Sequence, residues 1–153
     1  MQFLVALALI AVVAAAALYL QRRRQVDPPT QTKYAAPAQL DRDDFAGAEG
    51  EWLVVTFTSA TCQTCADVLR KASVLASASV SIFEAEFGQH RSLHERYRID
   101  AVPTLVIADR DGVVRASFMG PVTATDLWAA YAEARNPGSS PEPGLGQPGI
   151  SDE

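Results

Sequence analysis

The middle of the chain, residues 40–135, alternates between apolar runs with the period of a strand and apolar residues spaced as on a helix. Apolar runs bounded by turn residues predict strands, at residues 52–58, 80–87, 104–108 and 113–119. Apolar residues three and four apart that follow capping side chains predict helices, at residues 41–45, 66–78, 90–98 and after residue 123. This order of elements predicts an α/β domain whose mixed central sheet is flanked by helices.

The three longer helices are expected to turn apolar side chains toward the sheet. The side chains expected to pack inward are Val68, Leu69, Ala72, Leu75, Leu93, Tyr97, Leu127, Trp128 and Tyr131. Asp41 and Thr123 carry oxygens that can accept the first backbone N–H groups of their helices, and they are the expected N-caps. Residues 109–112, with the sequence Asp-Arg-Asp-Gly, are expected to form the hairpin turn between the last two strands.

Residues 3–20 form an unbroken apolar stretch without a charged side chain. As a helix, this stretch would be about 27 Å long at about 1.5 Å per residue, close to a hydrocarbon core of about 30 Å. We therefore predict an N-terminal transmembrane helix with a basic flank over residues 1–24. A cleaved signal peptide is the alternative, since residues 14–16 are all alanine. The absence of a basic residue before the apolar run, and the Arg triplet at 22–24 directly after it, favour a retained anchor.

The segments on either side of the domain have compositions that oppose packing. Residues 25–39 contain Pro28, Pro29 and Pro37 and are predicted to be a flexible linker. Residues 136–153 are rich in Pro, Gly and Ser and are predicted to be a disordered tail. The formal net charge is −5 and the only basic cluster borders the predicted span, so nucleic-acid binding is not expected.

Cys62 and Cys65 are the only cysteines of the chain, and they lie between the first apolar strand and a helical pattern. If the helix begins near Cys62, residues three apart share a face and the two sulfurs can bond without strain. The N–H groups of the first turn and the helix dipole then favour the thiolate of Cys62. Cys62, the more exposed of the two, is therefore expected to attack, and Cys65 to resolve the mixed disulfide.

The order of these features resembles the thioredoxin superfamily over residues 40–134. The features are the Cys-x-x-Cys after a buried strand, the segment Ala101-Val102-Pro103-Thr104, the Asp-Gly hairpin, and Gly120 before the last helix. The resemblance implies a thioredoxin-like fold and thiol–disulfide exchange as the activity. It also implies that the bond before Pro103 is cis, that Pro103 lies against the cysteines, and that Val102 and Pro103 bind the substrate.

The chain departs from typical thioredoxins around the cysteines. Gln63 and Thr64 replace the Gly and Pro between them, and residues at these positions help to set the redox potential. Thr56 stands where thioredoxins have a buried Asp that helps to deprotonate the second cysteine, and a hydroxyl cannot take up a proton at neutral pH. All three residues are therefore expected to tune the redox chemistry. Glu84 and Glu86 are possible substitutes for the missing carboxylate, or else solvated strand residues.

The side of the membrane that would hold the domain is open at this point. All Lys and Arg residues near the predicted span lie on its C-terminal side, and the positive-inside rule then favours the cytoplasm. Domains of the thioredoxin type are also common on the outer side of bacterial membranes, so an extracytoplasmic domain is the alternative. The triplet at residues 22–24 is also suited to anionic lipid headgroups.

A structural zinc site is one alternative, since Cys62, Cys65, His90 and His94 are residue types that bind zinc. The separation of the two pairs, 24 residues, is about twice that of a zinc finger. Two histidines four apart on a polar helix more often form a solvated face. No metal and no cofactor are therefore expected.

Two further alternatives keep the fold but change the function. One is a peroxidase of the peroxiredoxin type, which needs Pro and Thr seven and three residues before the reactive cysteine. This chain has Val55 and Ser59 at those positions, which disfavours a peroxidase. A redox-inactive, membrane-tethered interaction module is the other alternative, and the loss of the aspartate at Thr56 gives it weight. The favoured prediction is a membrane-anchored thiol–disulfide oxidoreductase that acts on protein or small-thiol clients and depends on an unidentified redox partner.

Overall fold

A four-stranded mixed sheet forms the centre of the computed structural model, which describes residues 35–139. The strands, in chain order, are β1 (Trp52–Thr58), β2 (Val80–Glu86), β3 (Thr104–Ala108) and β4 (Val114–Met119). The sheet order is β2-β1-β3-β4, with β1 parallel to β2 and antiparallel to β3, and β3 antiparallel to β4. Three helices flank it, α1 (Cys65–Ser73), α2 (Arg91–Arg96) and α3 (Ala124–Arg135). The predicted mixed central sheet is confirmed.

Strand β1 is buried along its whole length because both faces of the sheet are covered. The side chains of Trp52 and Val54 pack on the face that carries α1 and α3. Those of Leu53 and Val55 pack on the opposite face, together with α2. A strand that is buried on both faces has a continuous apolar run, and residues 52–58 accordingly show no alternation.

The predicted caps and the hairpin turn are confirmed. The Asp41 carboxylate accepts a backbone N–H at 3.2 Å at the start of a single 3₁₀ turn, Arg42–Asp44. The Thr123 hydroxyl accepts a backbone N–H of the first turn of α3 at 3.1 Å. In the hairpin turn the N–H of Gly112 donates to the carbonyl of Asp109 at 3.0 Å. The φ of Gly112 is +76°, a conformation that strains residues with a Cβ atom.

The prediction that the first long helix extends to residue 78 is wrong, since α1 ends at Ser73. The hydroxyl of Ser73 donates to the carbonyl of Arg70 at 2.7 Å, and such local bonds compete with helical ones. The chain then turns so that Ser77 can form an isolated bridge with Val80, at the start of β2. Leu75 is nevertheless buried, as predicted.

The prediction that Trp128 packs inward is also wrong, because this side chain is 47% exposed. Helix α3 instead turns Leu127, Ala130 and Tyr131 toward the core. These positions follow the three- and four-residue spacing of one helix face. Trp128 lies about 100° around the helix axis from Leu127, and this rotation carries it to the surface.

The described part of the chain joins the sheet at its hairpin end. Gln39 forms an isolated bridge with Val113, directly after the hairpin turn. Leu53, near the start of β1, pairs with Ala108 at the end of β3. The chain therefore enters the domain at the end of the sheet where β1 begins, opposite to the end from which the cysteine loop leaves.

The predicted transmembrane helix, most of the linker and most of the tail lie in residues 1–34 and 140–153, outside the described residues. Within residues 35–139, no helix combines the length and the apolar character that crossing a membrane requires. The anchor therefore stays a prediction that depends on residues 3–20.

Candidate redox site

Cys62 and Cys65 are joined by a disulfide, with the sulfurs 2.06 Å apart and the Cα atoms 5.4 Å apart. Cys62 lies in the loop after β1 and is half-buried, whereas Cys65 is the first residue of α1 and only 4% exposed. The more accessible cysteine is thus Cys62, as expected from the sequence. This difference in exposure is what the predicted division into an attacking and a resolving cysteine requires.

The prediction that the helix begins near Cys62 is wrong by three residues, because α1 begins at Cys65. Residues 61–64 form turns, and the N–H of Cys62 donates to the carbonyl of Ser59 at 3.1 Å. That hydrogen bond makes Cys62 part of the loop and not of the helix. Thr64 is the N-cap residue of α1, and its side chain makes no capping hydrogen bond. Cys62 therefore precedes the first turn of α1, whose free N–H groups and dipole favour an anionic sulfur.

The two residues between the cysteines are both exposed. The hydroxyl of Thr64 lies 3.7 Å from the sulfur of Cys62, within the range of a hydroxyl–sulfur hydrogen bond. A hydroxyl that donates to sulfur favours the thiolate over the thiol. Thr64 thus has a contact suited to its predicted tuning role. In the described part of the chain, Gln63 makes no hydrogen bond to either sulfur.

Pro103 is buried and Val102 is half-buried, and the peptide bond between them is cis, as the resemblance implied. Thr104, the next residue, pairs with Phe57 near the end of β1. Pro103 directly precedes β3, and the loop that carries Cys62 directly follows β1. Because β1 and β3 are antiparallel, both lie at the same end of these strands. The carbonyl of Pro103 accepts the N–H of Gly120 at 2.8 Å, which fixes this segment to the end of β4.

Neither a protein-family model nor a curated protein matches the chain. Solved structures do match it. A malarial protein is 16% identical with a TM-score of 0.51, over 56% of this chain and 98% of that one. Chloroplastic thioredoxin z is 18% identical with a TM-score of 0.50, over 57% of this chain and 80% of that one. Oxidised thioredoxin O2 from Arabidopsis thaliana is 21% identical with a TM-score of 0.50, over 60% and 84%.

The described residues have a thioredoxin-like fold. The thioredoxin-like fold that the resemblance implied is thereby confirmed for the described residues.

Thr56, at the position of the thioredoxin aspartate, is completely buried. Side chains alternate between the faces of a strand, so Thr56 shares its face with Trp52 and Val54 and is covered by α1. Cys65 is the first residue of that helix. The hydroxyl oxygen of Thr56 has no hydrogen-bond partner among the described residues. Position 56 therefore places an unpaired neutral hydroxyl on the side of the sheet where the resolving cysteine lies.

The two carboxylates on β2, Glu84 and Glu86, bind groups other than the cysteines. Glu84 accepts a hydrogen bond from the hydroxyl of Thr58 at 2.8 Å. Glu86 accepts the backbone N–H groups of Ala60 at 3.2 Å and Gln89 at 3.1 Å. None of these bonds involves a cysteine, and Glu84 is exposed whereas Glu86 is half-buried. The bond from Ala60 to Glu86 was not predicted, although the parallel pairing of β1 and β2 brings the ends of both strands to this edge.

The two histidines do not form a solvated face, and for His94 that interpretation is wrong. His94 is 3% exposed, and its Nε2 atom lies 2.8 Å from the carbonyl oxygen of Ala85. The rings of Phe57 and Phe87 meet the His94 ring edge-on, each with centroids 5.2 Å apart. The reason is that α2 turns His94 toward the sheet together with Leu93. Across residues 35–139, no three His, Cys, Asp or Glu side chains are grouped as metal ligands, so the zinc alternative gains no support.

Proposed function

We propose that this chain is a membrane-anchored thiol–disulfide oxidoreductase in which Cys62 is the nucleophile and Cys65 the resolving thiol. The observation that carries the proposal is the Cys62–Cys65 disulfide at the edge of a thioredoxin-like sheet, with one cysteine accessible and the other buried. A structural disulfide would not need this difference in exposure. A thiol–disulfide exchange reaction requires this difference, because a client must reach the first sulfur while the second stays buried and attacks only the mixed disulfide.

In the reducing direction, the Cys62 thiolate attacks one sulfur of a client disulfide. A Cys62–client disulfide forms, and the second client sulfur leaves as a thiolate that takes up a proton. The Cys65 thiolate then attacks the sulfur of Cys62, which releases the first client sulfur and closes the Cys62–Cys65 disulfide. Two electrons and two protons pass to the client, and the oxidising direction is the reverse of these steps.

The segment beside the cysteines supports a client-binding role for Val102 and Pro103. The backbone of Val102 makes no hydrogen bond to another described residue, although the side chain packs against the core. Its N–H and C=O groups are thus available to form hydrogen bonds with the backbone of an extended peptide. Clients would be proteins or small thiols, and an external redox partner would restore the cysteine pair, with no bound cofactor.

The proposed anchor is the apolar stretch at residues 3–20, followed by the linker at 25–39. The described chain enters the domain at Gln39, opposite the cysteine end of the sheet. The positive-inside rule favours a cytoplasmic domain, with the extracytoplasmic side as the alternative, and the surrounding lipid would be a further partner.

The proposal is tested with the full-length chain in intact cells. A Cys65→Ser variant should accumulate mixed disulfides through Cys62, because the step that releases the client is blocked. A Cys62→Ser variant, matched in chemistry and position, should accumulate none. A thiol reagent that cannot cross the membrane would label the reduced pair only if the domain is extracytoplasmic, so the same cells report the side.

The alternative of a redox-inactive interaction module gives the opposite result in a genetic test. A variant with serine at both Cys62 and Cys65 should lose the cellular role if exchange is the function. If the double variant keeps that role, the proposed activity is wrong and the domain acts by binding alone.

A further inference from the structure

The carboxylate of Glu86 connects the cysteine loop to the turn that follows β2. One of its oxygens accepts the N–H of Ala60, two residues before Cys62, at 3.2 Å. The other oxygen accepts the N–H of Gln89 at 3.1 Å. The two backbone segments joined in this way leave adjacent strands, β1 and β2, at the same edge of the sheet.

The turn after β2 is shaped to accept this carboxylate. A Cβ atom added to Gly88 would lie 2.9 Å from the Glu86 oxygen that binds Gln89, so a larger residue there would push that oxygen from its present place. Hydrogen bonds from the N–H groups of Gly88, Gln89 and Ala60 lower the pKa of Glu86. The side chain is therefore ionised at neutral pH, and hydrogen bonds to a charged acceptor are stronger than those to a neutral one.

In the oxidised chain the disulfide to Cys65 holds Cys62, so the other supports of the cysteine loop matter once that bond is reduced. Helix α1 begins only at Cys65, so the helical backbone does not hold Cys62. The backbone of Cys62 makes one bond within the loop, to Ser59, and Ser59 directly precedes Ala60. The position of the Cys62 sulfur before the first turn of α1 thus depends on where residues 59–61 lie.

We propose that Glu86 is a positioning residue of the redox site, whose carboxylate holds the Ser59–Thr61 loop so that Cys62 faces the N-terminus of α1. This inference rests on the proposed function, since it assigns Glu86 a role in setting the reactivity of the attacking cysteine. Glu86 is not a substitute for the thioredoxin aspartate. Its oxygens bind backbone N–H groups of two loops, and no described contact joins it to Cys65.

Two effects of Glu86 on the Cys62 thiolate have opposite signs, and this makes the proposal testable. A negative charge near Cys62 disfavours the thiolate, so removing that charge alone would lower the thiol pKa. Positioning before α1 favours the thiolate, so losing the position would raise the thiol pKa. The sign of the change on removal of Glu86 shows which effect is the larger.

The experiment measures the pH dependence of iodoacetamide alkylation at Cys62 in the reduced full-length chain. Glu86→Ala should raise the pKa of Cys62 by about half a unit or more, which is about a threefold loss of thiolate at neutral pH. Glu84→Ala is the matched control, because Glu84 lies on the same strand but binds only the Thr58 hydroxyl. It should leave the pKa of Cys62 unchanged.

Gly88→Ala provides a second variant, which shifts one oxygen of the carboxylate without removing the charge, and it should change the pKa of Cys62 in the same direction. If Glu86→Ala fails to fold, Gly88→Ala alone decides. A fall or no change in the Cys62 pKa would overturn the proposal. The alkylation needs no client, so its outcome is separate from that of the proposed function, which fails if the wild-type chain exchanges no disulfide with glutathione.

Discussion

Replacing Thr56 with valine should make the oxidised protein more stable. Thr56 is completely buried, and its hydroxyl oxygen has no hydrogen-bond partner among the described residues. A buried polar group that loses its hydrogen bonds to water without replacement costs about 1–3 kcal/mol. Valine has nearly the same shape and fills the same volume with a methyl group. We therefore expect Thr56→Val to raise the free energy of unfolding by about 1–3 kcal/mol.

Thr58→Val is a matched control on the same strand and the same face. Thr58 is also buried, but its hydroxyl donates to the carboxylate of Glu84 at 2.8 Å. Removing this bond should destabilise the protein, and the cost stays at about 1 kcal/mol because exposed Glu84 regains hydrogen bonds to water. The two identical substitutions should thus have opposite signs.

The measurement is urea denaturation of the purified full-length chain with the Cys62–Cys65 disulfide intact. A difference of 1 kcal/mol in a domain of this size also shifts the melting temperature by about 4–8 °C, so thermal unfolding gives an independent check. If Thr56→Val is no more stable than the wild type, the buried hydroxyl is satisfied in solution. The reasoning from an unpaired oxygen at position 56 would then be wrong.

Three further predictions test other parts of the fold. The pKa of Tyr97 is raised to about 12 by burial and by its hydrogen bond to Asp44. The stability that depends on neutral Tyr97 is therefore fully present below about pH 10 and is lost as the pH rises toward 12. Tyr97→Phe should lack this loss in a denaturation series at alkaline pH, and an equal loss in the variant would contradict the role of Tyr97. Thr123→Ala should cost about 1 kcal/mol in urea denaturation, because it removes the N-cap of α3, and an unchanged midpoint would contradict the role of that cap. Leu127→Ala should lower the free energy of unfolding by about 2–5 kcal/mol because Leu127 is fully buried. Trp128→Ala should lower it far less because Trp128 is exposed, and equal losses would contradict the assigned helix face.

The strands and turns were predictable because each has a local cause. The run at residues 52–58 is apolar on both faces since both faces are covered, and this is visible in sequence. The Asp-Gly pair at Gly112 and the cap at Thr123 depend on neighbouring residues alone. The predictions that were wrong concern features that tertiary contacts determine. Trp128 and His94 lie on short amphipathic patterns whose inward direction depends on how the helix packs.

The site itself was predictable only in part, for the same physical reason. The cysteine pair and Pro103 are recognisable from residue type and order, and the structure places them at one edge of the sheet. The start of α1 at Cys65 was missed because propensity does not show that Cys62 uses its N–H within the loop. The contact of Glu86 with Ala60 joins residues 26 positions apart, which no local pattern reports.

Under the proposed mechanism, the two cysteines are affected unequally by the loss of the aspartate. Cys62 keeps what favours its thiolate, which is the N-terminus of α1 and the hydroxyl of Thr64 at 3.7 Å. Cys65 is buried and has only the neutral hydroxyl of Thr56 at the aspartate position, and that hydroxyl cannot take up the Cys65 proton at neutral pH. Attack on the client should therefore be less impaired than release. The mixed disulfide between Cys62 and the client should therefore be long-lived, and the cause is the neutral side chain of Thr56 on β1.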